Sequence, residues 1–222
     1  MTDRAVWQLS TAAILVLALV SAFAWFERTR PSARVAATVA MLAAFAVIGR
    51  IAFAPFPNIK PTTDIVIIAG FALGAAPGFT VGALAALVSN FYFAQGPWTP
   101  WQMAAWGLCG LFGALIGHLT RRQISRLPLA VCCAVAGLGF GVVMNFASAV
   151  NFGGADIVTS YLVYQVQSLP FDFAHAGANF VFCLIAGPAL VRMLERLRQR
   201  AVVVWPSLTV HDSSPSPALN ET

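Results

Sequence analysis

The stretch from Val35 to Ala54 reads VAATVAMLAAFAVIGRIAFA, twenty residues of which only Arg50 is charged. A helix needs about 20 apolar residues to cross the roughly 30 Å hydrocarbon core of a bilayer. Comparable apolar runs recur along nearly the whole chain. The pattern predicts an all-α integral membrane protein.

The overall composition supports this fold class and excludes several functions. Of 222 residues, 59% are hydrophobic and 9% are charged, whereas a soluble domain carries about 25% charged residues. No GxxxxGK[ST], HExxH or GxSxG motif occurs, and the cysteines form no CxxC pair. ATP hydrolysis, zinc chemistry and a disulfide framework therefore lack their usual motifs, and no cofactor is expected. The cysteines are Cys109, Cys132, Cys133 and Cys183.

Apolar runs and the breakers between them predict seven membrane spans. The third and fourth are short and are separated by Pro and Gly around residues 74–78, which favours two helices over one kinked helix. The spans are Val6 to Phe26, Val35 to Ala54, Asp64 to Ala75, Phe79 to Ala94, Trp101 to Leu119, Leu129 to Val150 and Phe171 to Leu194.

Three segments follow from these spans. Residues 1–34 are expected to form an extra N-terminal transmembrane helix and a cytoplasmic loop, although a cleaved signal peptide is an alternative. Residues 35–200 are expected to form a six-helix, substrate-binding membrane domain. Residues 201–222 are rich in Ser and Pro, a composition that predicts a disordered cytoplasmic tail.

The distribution of arginine predicts the orientation, because positive residues in short loops stay in the cytoplasm. One side of the membrane holds only Arg4, Arg50 and Lys60. A cytoplasmic C-terminus and an external N-terminus are expected, and the net charge of +5 then needs no nucleic-acid partner. The arginines of the cytoplasmic side are Arg28, Arg30, Arg34, Arg121, Arg122, Arg126, Arg192, Arg196, Arg198 and Arg200.

The external loops predict a binding mouth. Prolines stiffen the first two loops, and the third is expected to run from Asn151 to Pro170. Aromatic faces with a few polar groups suit a small ring-bearing solute, although tryptophans also line membrane interfaces without binding anything. The candidate loop residues are Asn58, Lys60, Gln95, Trp98, Trp101, Gln102 and Gln165.

Polar residues also enter the spans near their external ends, where burial is costly unless they face a cavity or one another. Asp172, His175 and Asn179 share one helix face. Structural roles, such as a helix cap or an interhelical hydrogen bond, are equally open. The candidates are Asn90, Asn145, Asp172, His175 and Asn179.

A stripe of small residues marks the cytoplasmic half of the second span. Ala36, Ala40 and Ala44 recur every four residues, so another helix can approach closely there.

Several segments together resemble the substrate-binding S components of energy-coupling factor (ECF) transporters, with most similarity to the cobalamin-type group. They are PNIKP at 57–61, IVIIAG at 65–70, VSNF at 88–91 and QGPWTPWQM at 95–103. The resemblance covers residues 35 to 195 and implies a six-helix core, so the first helix is a departure from the family.

The resemblance implies a transporter subunit in the bacterial cell membrane that captures a vitamin or related ring compound from outside, with cobalamin as the leading candidate. It implies a transmembrane coupling subunit, docked at Ala36, Ala40 and Ala44, and two ATPase subunits. Two alternatives stay open: an intramembrane enzyme using His175 and Asp172 as a general base, and a stand-alone channel or structural membrane protein.

Overall fold

The computed structural model describes residues 3–154 and 156–201, and this part of the chain is helical without any strand. The predicted tail at 201–222 lies outside the described residues except for Ala201, the last residue of α7. The helices are α1 (Asp3–Arg28), α2 (Ala33–Ala52), α3 (Thr62–Leu73), α4 (Ala75–Phe93), α5 (Thr99–Leu119), α6 (Arg126–Phe152) and α7 (Ile157–Ala201).

Six of these helices are long and apolar enough to cross a membrane, and α3 is the exception with 12 residues. At 1.5 Å per residue, α3 is only about 18 Å long. Almost all of its residues are buried inside the bundle. The protein is thus a multi-pass membrane bundle in which α3 lies enclosed by longer helices.

Helices α3 and α4 form the tight hairpin that the sequence predicted. A single residue, Gly74, joins them with φ of 103°, a conformation that side chains other than glycine rarely adopt. Gly78 in α4 lies directly against Gly70 in α3, so the two helices run antiparallel. Pro77 falls in the first turn of α4, where its missing N–H leaves no hydrogen bond unmade.

The prediction of a third external loop from Asn151 to Pro170 is wrong. Residues 157–170 belong to α7, a helix of 45 residues that passes through Pro170 and Pro188. Asp156 starts it as a capping residue: the Thr159 hydroxyl and the Val158 amide, the latter at 3.0 Å, donate to its carboxylate. These hydrogen bonds, that from Thr159 foremost, lower the pKa of Asp156. Membrane helices tolerate internal proline because neighbouring groups satisfy the freed carbonyl.

Helix α1 packs on the outside of the bundle. It contacts α4, α5 and α6 but makes no packing contact with α2 among the described residues. Most of its surface is exposed, with Leu19 as its buried contact with the core. Gln8 near its start donates to the carbonyl of Asn151 at 3.1 Å, which fixes that end of α1 beside the end of α6.

The two ends of the bundle differ in chemistry. The turn after α5 lies beside the end of α7, where Arg122, Arg126, Arg192 and Glu195 line one groove. At the opposite end, the loop between α2 and α3 contacts α7 through the hydrogen bond between the Asn58 carbonyl and His175. The arginine-rich end and the end with the polar loops are therefore far apart.

Candidate functional site

A cavity of about 420 Å³ opens at the polar-loop end of the bundle. This volume is in the range of roughly 300–1,000 Å³ typical of small-molecule sites. Half of the residues predicted from sequence line it, together with residues that the sequence interpretation missed. The predicted ones are Asn58, Lys60, Gln102, Asn145, Asp172 and His175; the missed ones include Arg50, Phe93, Trp106, Phe140, Met144 and Ser168.

Arg50 dominates one wall of this cavity. It is 7% exposed, and its guanidinium donates to Ser89 Oγ at 2.5 Å and to Asn90 Oδ1 at 2.8 Å. The rings of Phe93 and Trp106 lie 4.6 and 4.8 Å from its central carbon, in cation–π geometry. The side chain is thus held rigidly in an aromatic and polar cradle.

No carboxylate pairs with Arg50 in the described part of the chain, and its Nε has no hydrogen-bond partner. Lys60 lies close enough for the two positive charges to interact. Partial burial first, and the charge of Arg50 second, lower the pKa of Lys60. A buried and uncompensated cation in a membrane span is costly and marks a functional site by default. The cavity therefore offers positive charge to an incoming acceptor group.

A second wall of the cavity offers acceptors for donor groups. Asn145 Nδ2 lies 2.6 Å from Ser168 Oγ and 3.3 Å from Asp172 Oδ2, and Ser168 Oγ lies 2.5 Å from the same Asp172 oxygen. Gln165 stands behind this group, with Oε1 at 3.0 Å from Asn145 Nδ2. The carboxylate of Asp172 is buried and accepts hydrogen bonds from Asn145 and Ser168, and its oxygens can also accept from a ligand.

His175 belongs to a directional hydrogen-bond chain. Its Nδ1 lies 2.7 Å from the Asn58 carbonyl, which can only accept, so Nδ1 carries the proton. Nε2 then accepts from Thr63 Oγ1 at 3.1 Å, and Thr63 in turn accepts from Trp106 Nε1 at 3.1 Å. This chain links the α2–α3 loop, α3, α5 and α7. Both ring nitrogens are engaged within the protein, and neither hydrogen-bonds to Asp172.

Aromatic rings form a third wall of the cavity. The rings of Trp106 and Phe140 stack at 4.7 Å and 27°, and His175 lies 5.7 Å from Phe140. Such a surface suits contact with a flat ring system.

The other predicted residues lie outside the cavity. Asn90 is fully buried behind it and joins Arg50 to Thr99 and Gln102. Asn179 is fully buried and also lies outside the cavity. Gln95 and Trp98 lie in the loop between α4 and α5, Trp101 in α5 packs on the ring of Phe146, and Gln165 hydrogen-bonds to Asn145.

The strongest missed signal was Arg50. It is the only charged residue of the run at 35–54, and an intramembrane charge is itself a site signal. In the positive-inside pattern, Arg50 is simply one of the few positive charges on the external side. Trp106 and Phe140 could not be identified from the sequence, because aromatic residues are common on the helix faces of any membrane bundle.

The alanine stripe lies on the outer surface of α2. Ala36, Ala40 and Ala44 are all exposed, while Leu42 and Ala46 on the other face are buried. Since α1 packs elsewhere, nothing in the described part of the chain covers this stripe.

The family model for "ECF-type riboflavin transporter, S component" matches residues 31–196. The matched segment begins after α1 and ends within α7, so it contains the whole cavity and the alanine stripe. No curated protein and no solved structure matches the chain. The match supports the expected S component, and it gives the cobalamin-type grouping no support. Because it covers well over half of the sequence, the chain belongs to the ECF-type riboflavin transporter S component family.

Proposed function

We propose that the chain binds riboflavin, or a closely related flavin, in the cavity beside Arg50 and passes it inward with the help of ATPase partners. The observation that carries the proposal is the pairing of an uncompensated cation with a stacked aromatic wall in one cavity. The family description, which names riboflavin, supports the same ligand.

The chemistry of riboflavin fits the three walls. Its tricyclic ring presents carbonyl and ring-nitrogen acceptors along one edge, which complement the guanidinium of Arg50. The flat ring faces complement Trp106 and Phe140. The hydroxyls of the ribityl chain can donate to Asp172 and exchange hydrogen bonds with Asn145 and Ser168.

Cobalamin fits this cavity less well. Its corrin ring and nucleotide loop contain several times as many atoms as riboflavin, and about 420 Å³ is near the small end of ligand sites. Cobalamin is therefore the alternative ligand to test beside riboflavin.

The cavity is proposed to face the cell exterior. Arginines cluster at the other end of the bundle, and the positive-inside rule assigns that end to the cytoplasm. This orientation gives a cytoplasmic C-terminus and an external N-terminus, and it makes the cavity accessible to external solute.

Riboflavin binding can be measured directly with the purified full-length chain in detergent. We expect flavin fluorescence to be quenched on titration, because the ring would stack against Trp106 and Phe140. The quenching should saturate as riboflavin is added, and excess cobalamin should not reverse it. Mass spectrometry of co-purified small molecules should detect a flavin. Absence of quenching at micromolar riboflavin, with cobalamin or another compound bound instead, would reject the proposed ligand.

We propose that the partners are a transmembrane coupling subunit and two ATPase subunits, with the exposed stripe of Ala36, Ala40 and Ala44 as the docking surface. Small residues let another helix approach closely. In reconstituted vesicles, riboflavin uptake should require the partner subunits and ATP. Uptake by the chain alone would contradict energy coupling by partners.

The substitution Ala40→Trp should weaken co-purification with the coupling subunit about tenfold, because an indole on the stripe would hold the partner helix away. Riboflavin affinity should be unchanged, since Ala40 lies far from the cavity. Ala186→Trp, at an exposed alanine of α7, is the matched control and should assemble normally. Normal assembly of the Ala40 variant, or lost affinity with normal assembly, would remove the stripe from the docking surface.

A further inference from the structure

Three helices bring a carboxylate and two thiols together in the middle of the bundle. Asp64 of α3, Cys133 of α6 and Cys183 of α7 are all buried, and one ligand atom from each lies within 4.8 Å of the others. The cluster is separate from the cavity, none of whose lining residues belongs to it. These residues are far apart in sequence, so no motif search detects them.

Asp64 is the unusual member of the cluster. The residue is 4% exposed, and neither carboxylate oxygen has a hydrogen-bond partner in the described part of the chain. A buried carboxylate without partners is strongly unfavourable unless a proton or a cation neutralises it. The Asp64 carboxylate therefore needs either a proton or a cation as its counter-charge.

A second buried polar group lies one helical turn away. Asn179 is fully buried, and both its amide oxygen and its amide nitrogen lack partners. It is four residues before Cys183 on the same face of α7, and it lies against Gly137, four residues after Cys133 in α6. An amide oxygen at this position is a candidate fourth ligand.

We propose that Asp64, Cys133 and Cys183 bind one Zn²⁺ ion, with Asn179 or a water molecule completing a tetrahedral site. Thiolate sulfur with carboxylate oxygen selects Zn²⁺ over Mg²⁺ or Ca²⁺, which prefer oxygen ligands alone. Zn–S bonds of about 2.3 Å separate two sulfur ligands by roughly 3.8 Å, so small inward movements from the observed spacing close the site.

Zinc binding exchanges protons for the ion. Each thiol that coordinates releases its proton to water, and Asp64 contributes its own negative charge. One Zn²⁺ ion with two thiolates and one carboxylate carries a single net negative charge, which is shared over the ion and its ligands instead of lying on one unpaired carboxylate. The ion would tie α3, α6 and α7 together, and these helices also carry Thr63, Asn145 and His175 of the binding region.

The experiment measures zinc in the full-length chain, purified in detergent and washed with a weak chelator. We expect about one equivalent of zinc in the wild type and less than a tenth of that in Cys133→Ser and Cys183→Ser. Cys109→Ser is the matched control, because Cys109 is buried but lies outside the cluster, and it should retain the metal. Strong chelators should lower the melting temperature of the wild type but not that of Cys133→Ser.

A spectroscopic measurement does not depend on folding of the variants. Co²⁺ loaded into the wild-type chain should give a thiolate-to-metal charge-transfer band in the near ultraviolet, and Cys109→Ser should give the same band. The proposal is overturned if added Zn²⁺ or Co²⁺ gives neither stoichiometric binding nor this band in the wild type. That result would leave Asp64 as a protonated residue beside two thiols, whatever the outcome for riboflavin.

Discussion

Replacing Arg50 with methionine is expected to weaken riboflavin binding about 100-fold while the ligand-free protein keeps nearly the wild-type melting temperature. Hydrogen bonds from a charged donor contribute about 1.5–3 kcal/mol each, and a tenfold change in affinity corresponds to about 1.4 kcal/mol. Loss of one or two such bonds to the flavin acceptors therefore gives the expected factor. Titration by flavin fluorescence measures it.

The melting temperature of Arg50→Met should change little although its riboflavin affinity falls, and the surroundings of Arg50 explain why. Its charge is buried without a carboxylate partner, so its removal relieves a desolvation cost. Against this gain, Ser89 and Asn90 lose a donor and become partly unsatisfied. These two effects on stability have opposite signs, whereas the lost hydrogen bonds to the flavin lower only the affinity.

Two further variants test whether the effect on riboflavin affinity depends on the charge of residue 50, on its planar guanidinium, or on its position in the bundle. Arg50→Lys keeps the charge but loses the planar guanidinium, whose Nη1 donates to both Ser89 and Asn90, and its riboflavin affinity should fall between those of wild type and Arg50→Met. Arg126→Met removes an exposed arginine at the other end of the bundle and should bind normally. Wild-type affinity in Arg50→Met would contradict the placement of the flavin ring beside this residue.

Hydropathy predicted most of the fold, because transmembrane helices must satisfy their backbone internally and therefore appear as apolar runs. It failed at the start of α7, where Asp156, Gln165 and Pro170 resemble a loop. Asp156 instead caps the helix, and Gln165 faces Asn145. Polar residues and proline indicate a loop only when no neighbouring helix supplies hydrogen-bond partners for them. The sequence alone does not show which helix lies next to them.

The site was predictable in part for a similar reason. Asp172 and His175 were identifiable because polar groups within apolar runs are rare. Asn58, which bonds His175, was also a candidate, but Thr63 and Trp106 were not, since they lie on two other helices and complete the chain only when the bundle packs. The cluster of Asp64, Cys133 and Cys183 likewise depends on how α3, α6 and α7 pack.

The substitution Gly110→Ala should prevent the bundle from forming, with an expected loss of about 4 kcal/mol or more in the free energy of unfolding. Gly110 of α5 meets Gly78 of α4 backbone to backbone, and Gly70 of α3 meets the Gly110 carbonyl. A Cβ at Gly110 would overlap the main chain of Gly78 and Phe79, which cannot move aside as a side chain can. Yield of monodisperse protein and thermal unfolding in detergent measure the effect.

Matched glycines on other helices provide the control. A Cβ on Gly139 of α6 or Gly177 of α7 meets nothing within 4 Å, so Gly139→Ala and Gly177→Ala should be neutral or stabilising by up to about 1 kcal/mol. The contrast tests one idea, that α3 remains inside the bundle because glycine lets α4 and α5 close around it. If Gly110→Ala melts like Gly139→Ala, the three helices cannot be as close as described, and the short α3 would need another means of burial.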